Sequence, residues 1–521
     1  QKAFADGVGV AGMDINVEPV YSSFGLTGNG VITAVVDTGL EIAHEDLAAN
    51  VVAGGSWNFI NSTIDPTNTV DIDGDHGTSV SGLIAAARNT VGGIGVAPGA
   101  RLKGFNLLSM SLPTEQAFLD SLGASTANPN SSDVFIFNQS FGISPTNDVS
   151  IDPLDEAQYL SGVTSLRGGK GALYVKAAGN GFGTCGLAGL RLSCQNANFD
   201  PGDTLPFQIV VGAVNADGVK ASYSSAGSAI WVSAPGGEFG RNGGTGVLFE
   251  PAMVTTDQSG CLKGYSTTTV NNGSTFDNGG APNGNCNYTN GMNGTSSATP
   301  VTVGVIALLL DANPALTWRD VKHILARTAR QIDAAIPAVN YALTGGNYIA
   351  EPAWTINQAT PQAFKFHNWY GFGMVDASAA VNMARSYDLT QLGAFVDTGF
   401  ISSGPLSLPV IPDNSATGVS NTLTVPANPV HVVEAIQIKV SVTHTAVGDL
   451  GIELVSPSGT RSILKNIRDG FGLSKDLNAM VLLSNAFYGE NPFGSWTIRI
   501  VDGEAFDTGF LTNWQIRVYG H

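Results

Sequence analysis

The sequence predicts an α/β domain built on a parallel sheet with helices on both faces, followed by an all-β sandwich. Two patterns carry that expectation. Up to about residue 390, short continuous apolar runs alternate with helical patterns; beyond it, apolar and polar residues alternate singly. Continuous runs suit parallel strands, because neither face of such a sheet meets water. Single alternation suits strands with one face on a core. The division falls near 388–396, giving units 1–390 and 391–521.

In chain order, residues 31–36 (VITAVV) read as a buried strand and 78–87 as a small-residue helix. Residues 172–175 and 209–214 are further strands of the same type. The Gly- and Asn-rich stretch 271–294 reads as a long surface loop. An apolar helix opens at Ser296 and runs to Leu310, with Pro300 placed in its first turn, where a missing N–H costs nothing. A second helix follows Thr317, an N-cap with Asp320 three residues on. In the sandwich, Ile436, Ile438, Val440 and Val442 alternate with polar residues, as do Leu450, Ile452 and Leu454. Trp496, Ile498, Ile500 and then Trp514, Ile516, Val518 continue the rhythm. Ser456-Pro457-Ser458-Gly459 is a turn between two of these strands.

Formal charge is −18, from 24 basic and 42 acidic residues. Nucleic acid is excluded as a partner by the lack of basic stripes. Basic substrates or bound cations suit the balance, as does an acidic surface kept for solubility. No apolar stretch reaches the ~20 residues of a bilayer span, so no membrane span is expected. The four cysteines, Cys185, Cys194, Cys261 and Cys286, have no zinc-ribbon spacing. Their two sequence-local pairs suggest disulfides 185–194 and 261–286, one of three connectivities, each adding about 2.5–3.5 kcal/mol. Four reduced thiols are the alternative. A start at Gln1 without a leader fits a processed, exported chain, so secretion is expected.

Three motifs carry chemistry. Val36-Asp37-Thr38-Gly39 puts a carboxylate at the carboxyl end of a buried strand, the edge where open α/β sheets bind ligands. Asp75-His76-Gly77-Thr78 opens the small-residue helix. Gly294-Thr295-Ser296-Ser297-Ala298-Thr299-Pro300 opens the apolar one. The order Asp, His, Ser along a chain is that of subtilisin, and the sequence resembles a subtilisin-superfamily serine endopeptidase. The resemblance implies Ser296 as nucleophile, His76 as general base and Asp37 as its orienting carboxylate. It also implies Asn180, in Ala178-Gly179-Asn180, as an oxyanion donor beside the Ser296 N–H. Ser140-Phe141-Gly142 is similar to the segment whose backbone pairs with extended substrate.

The same resemblance implies a Ca²⁺ site on the loop 86–98. Its ligands would be the Asp46 carboxylate, the Asn89 side chain and the carbonyls of Ala87, Val91 and Gly93, a hard oxygen set. Further features resemble the kexin/furin-like branch: Arg167-Gly168-Gly169-Lys170-Gly171, the closing Tyr370-Gly371-Phe372-Gly373, and Gly448-Asp449-Leu450 with Gly494-Ser495-Trp496 in the β unit. The last group is similar to a P (Homo B) domain, a jelly-roll-like sandwich.

That branch implies cleavage after Lys or Arg with a basic residue at P2. Asp73 matches an S2 acid and Asp200 an S1 acid, and Asp148 is the first acid after the Ser140 segment. Three departures stand beside these. Five residues, Ile143 to Asn147, precede Asp148; Thr38 replaces a second Asp; and Ser225 replaces a Glu of a second calcium site, which is not carried over. Asp71, Asp73 and Asp75 also fit a solvated acidic loop. The expectation is a secreted, calcium-stabilised serine endopeptidase acting on proteins or peptides with basic cleavage sites, its folding assisted by a propeptide or a separate chaperone. The alternatives are a broad-specificity subtilisin-like protease and a non-catalytic binding protein on the same scaffold.

Overall fold

The continuous apolar runs become the inner strands of one seven-stranded parallel sheet. The computed structural model describes residues 9–69, 75–110, 113–186, 188–240, 251–268, 274–404, 406–427 and 429–521. Asp71 and Asp73 lie outside the described residues. The strands are β1 (Ile32–Asp37), β2 (Trp57–Asn58), β3 (Arg101–Asn106), β4 (Ile136–Gln139), β5 (Leu173–Ala177), β6 (Gln208–Val214) and β7 (Ile230–Pro235), in the order β2-β3-β1-β4-β5-β6-β7. Every residue of β5 and β6 is buried, as a sheet covered on both faces requires. The order reverses beside β1, so the carboxyl end of β1 opens on a crevice.

Helices α1 (His76–Ala85), α2 (Glu115–Leu119), α3 (Pro153–Gly169), α4 (Thr295–Ala312), α5 (Trp318–Thr328) and α6 (Ala377–Arg385) flank the sheet. Thr317 and Asp320 form the expected capping box of α5. By length and composition α4 alone among the described residues could cross a membrane, but 83% of it is buried inside the protein. It is the core helix. The stretch 271–294 is not simply a surface loop. Among its described residues, β9 (Tyr288–Met292) pairs antiparallel with β8 (Met253–Thr256), and Ser274, Asp277 and Asn283 are buried.

From Val396 onward the singly alternating segments pair antiparallel in two sheets. One orders Val396–Ser402, Gly509–Gly520, Val433–His444 and Leu477–Ser484; the other orders Val419–Val425, Gly494–Asp502, Leu450–Val455 and Arg461–Lys465. Their inward residues, including Trp496 and Trp514, form one core. That core also takes Phe199 from the first part of the chain, stacked on Phe471 at 4.2 Å between centroids. Burying such a ring stabilises by about 1.5–3 kcal/mol. Beside it Asn198 donates to the carbonyls of Leu464 and Leu483 and accepts from Leu483 N. The sandwich therefore grips the loop that floors the crevice.

Candidate active site

Asp37 ends β1 fully buried, and both its oxygens face His76 Nδ1, at 2.8 and 3.0 Å. His76 is the first residue of α1, whose N-cap is Asp75. Asp75 also accepts from Thr38 Oγ1 and from Asn68 N, both at 3.3 Å. Thr38 N in turn donates to Asp37 Oδ1 at 2.7 Å. Burial, with the Asp37 charge adding to it, pushes the Asp75 carboxyl up to about 6. Gly77 must be glycine, because a Cβ there would lie 1.9 Å from the Gly39 carbonyl. The strand end and the helix start are thereby locked together. Burial works against protonation of His76, but the Asp37 carboxylate outweighs it and the imidazole pKa is raised.

Ser296 lies in the first turn of α4, and its position depends on Pro300. The helix begins at Thr295, so Pro300 is its sixth residue, one turn deeper than expected. Its missing N–H leaves the Ser296 carbonyl without an intrahelical partner, and Ser140 Oγ donates to that carbonyl instead, at 3.0 Å. Ser296 Oγ donates to the Ser140 carbonyl at 3.1 Å; among the described residues it makes no hydrogen bond to His76. Asn180 Oδ1 accepts from Thr295 N and Thr295 Oγ1, at 2.9 and 3.0 Å. That fixes the amide and leaves its NH₂ without a hydrogen-bond partner among the described residues. Gly294 N donates to the buried Tyr223 hydroxyl at 2.8 Å, fixing the turn into the helix.

Ser140, Gly142, Asn180, Asp200 and Ser296 line one cleft of about 470 Å³. Asp200 is the one ionisable side chain among the described residues lining it. It is not free: Oδ2 accepts from Lys176 Nζ at 2.6 Å and from Ile143 N at 2.9 Å, and Oδ1 from Gly202 N at 2.9 Å. Asp148 lies elsewhere. Its carboxylate accepts from Asn478 N of the sandwich at 2.9 Å, and burial raises its pKa. The run Ile143 to Asn147 carries it out of the cleft and onto the second β unit, where Ser474 Oγ also holds the Thr146 carbonyl.

Of the expected cation ligands, Asp46 is buried and meets the loop, but through N–H groups. Asn89 Nδ2 and Gly93 N donate to its two oxygens at 2.8 and 3.2 Å, while Asn89 Oδ1 accepts from Val91 N. Burial raises the Asp46 pKa. One carboxylate, one amide and a run of carbonyls remain the donor chemistry of a hard cation site; turning the Asn89 amide would present oxygen to it. Both disulfides form, Cys185–Cys194 and Cys261–Cys286. The positioning roles of Asp75, Thr295, Tyr223 and Lys176 escaped the sequence reading. Asp75 and Thr295 stood there only inside the helix-opening motifs, and Asp75 is buried as the N-cap of α1 rather than part of a solvated acidic loop. Lys176 left a signal of its own, a lone cation inside the apolar run Leu173–Ala177.

The subtilase family model matches residues 28–373, and the proprotein convertase P-domain model residues 433–518. An extracellular serine protease of Aeromonas sobria is 39% identical over 96% of this chain and 82% of its own length. Kexin of Saccharomyces cerevisiae is 28% identical over 98% of this chain and 54% of its own. The crystal structure of the Aeromonas sobria serine protease with its chaperone superposes with a TM-score of 0.88 at 36% identity, covering 98% of this chain and 91% of that one. With more than half its length matched to one family, the chain belongs to the subtilases and is a serine protease with a P domain.

Proposed function

We propose that this protease is a secreted endopeptidase that cleaves peptide bonds through Ser296, His76 and Asp37 and prefers Lys or Arg at P1, with a basic residue at P2. The observation that carries the catalytic assignment is the buried Asp37 carboxylate bonded to His76 Nδ1 at 2.8 Å. That bond leaves Nε2 as the free base. In the reaction Ser296 Oγ turns from the Ser140 carbonyl, gives its proton to His76 Nε2 and forms the bond to the substrate carbonyl carbon. The oxyanion meets the Asn180 NH₂ and the Ser296 N–H, two donors at the cleft without a partner among the described residues. His76 then passes its proton to the leaving amine as the C–N bond breaks. Water, deprotonated by the same imidazole, hydrolyses the acyl-enzyme. Losing one oxyanion donor typically costs about 10²–10³ in turnover.

Substrate backbone would pair with residues 140–142, Asp200 would meet the P1 cation and Asp73 the P2 cation. A Ca²⁺ held by Asp46, Asn89 and the carbonyls of Ala87, Val91 and Gly93 would supply stability and no chemical step. We take residues 1–390 as the catalytic unit and 391–521 as the P domain. The two disulfides and the extracellular relatives support secretion. The chaperone complex of the Aeromonas relative supports a folding partner here too.

The test is kcat/KM on matched peptides with Lys-Arg, Ala-Arg or Ala-Phe before the scissile bond. A preference above about 10² for Lys-Arg over Ala-Phe, about 2.7 kcal/mol, supports the basic-site reading, and equal rates reject it. Ser296→Ala should lower turnover by about 10⁶ with the fold intact; a loss below tenfold removes Ser296 as nucleophile.

A further inference from the structure

The carboxylate that lines the cleft, Asp200, is paired with a lysine behind it. Lys176 sits in β5 with its side chain only 5% exposed, and its ammonium lies 2.6 Å from Asp200 Oδ2 and 3.1 Å from Asp203 Oδ1. Asp203 is fully buried, two residues past a 3₁₀ start that Asp200 itself caps. Burial raises the Asp203 carboxyl to about 8, against the pull of Lys176. The closer of the two ion pairs is Lys176 with Asp200. The pair also lies directly under the segment that faces substrate. A Cβ on Gly142 would fall 2.6 Å from Asp200 Oδ2 and 3.0 Å from Lys176 Nζ.

We propose that Lys176 is a specificity-determining residue, a built-in counter-ion that occupies Asp200 and so weakens the hold of the cleft on a P1 cation. This rests on the reading of Asp200 as the P1 acceptor. A substrate lysine or arginine arriving at the cleft meets a carboxylate with three of its lone-pair sites already filled, by Lys176, Ile143 N and Gly202 N. It must share that charge with an ammonium at contact distance, whose repulsion acts through the same poorly screened interior. The result is a protease that accepts basic P1 residues without requiring them, because a neutral P1 side chain leaves no carboxylate unpaired beneath it. A bare carboxylate at the same place would strand its charge under a neutral residue and reject it.

The measurement is kcat/KM on peptides that differ only at P1, lysine against its uncharged isostere norleucine. Wild type should show a lysine-to-norleucine ratio below about 10², and Lys176→Met should raise that ratio at least about tenfold. Lys176→Gln should raise it in the same direction. Labelling of Ser296 by a fluorophosphonate reports that each variant is folded. A folded Lys176→Met enzyme with an unchanged ratio overturns the inference; equal losses on both peptides would then mean that the pair only braces residues 140–143. If neither variant folds, the wild-type ratio decides, and a value above about 10² overturns it. A wild-type ratio at or below one that Lys176→Met lifts keeps the inference and removes the basic P1 preference proposed above.

Discussion

Ser140 and Ser296 exchange hydrogen bonds across the cleft, each hydroxyl donating to the other's carbonyl at 3.0 and 3.1 Å. The Ser140 hydroxyl takes the place of the N–H that Pro300 cannot supply, and it also accepts from Asn138 Nδ2 at 2.9 Å. A proline in the second turn of α4 is thus tolerated because the end of β4 repairs the helix. The repair also sets the height of Ser296 against the substrate-facing segment.

Ser140→Ala should therefore destabilise the protein by about 1–3 kcal/mol, the cost of leaving the Ser296 carbonyl unsatisfied. It should also lower kcat more than it raises KM. Denaturant unfolding and steady-state kinetics check the two parts, and an unchanged unfolding midpoint would remove the bond as a support.

His76 owes its raised pKa to Asp37 winning over burial. The acid limb of kcat/KM should accordingly have its midpoint above the ordinary histidine value, with activity rising as the imidazole loses its proton. Asp37→Asn should move that midpoint downward and cut kcat by about 10⁴. In wild type the charged pair contributes stability that is full below the unfolded histidine pKa. That contribution is lost as pH rises through the folded one. Melting temperature across pH 5–9 should show this slope in wild type and lose it in Asp37→Asn.

Asn198 ties the floor of the cleft to the sandwich through three bonds to Leu464 and Leu483. Asn198→Ala strands the buried Leu483 N–H and removes a donor from the Leu464 and Leu483 carbonyls, the latter keeping Ser228 Oγ at 2.6 Å, and should cost about 1–3 kcal/mol. Calorimetry should show the whole protein melting earlier, because Phe199 beside it enters the sandwich core. A separate early transition confined to the sandwich would show that the two units do not support each other.

Calcium at Asp46 should raise stability by mass action, about 2.7 kcal/mol at a hundredfold excess over Kd. Chelation should lower the melting temperature of wild type and leave Asp46→Asn unmoved. Equal sensitivity of the two would place any bound calcium elsewhere.

The sequence by itself determined the architecture and the family. Apolar runs such as residues 31–36 read as strands buried on both faces, and single alternation after Gly393 read as a sandwich with one inner face, and both form. The motifs at Asp37, His76 and Ser296 were legible for a related reason: each is a strand end or helix start fixed by a few neighbouring residues. What the tertiary structure decided was the partner of each polar group. Lys176 meets Asp200 24 positions away, and Asp148 meets Asn478 330 positions away. Asp200 could be assigned to the cleft from the family resemblance, but nothing local says that a lysine on β5 already holds it. A buried charge is defined by whatever the fold brings within about 4 Å, where the interior screens poorly. That distance is set by packing, and residue order alone does not contain it.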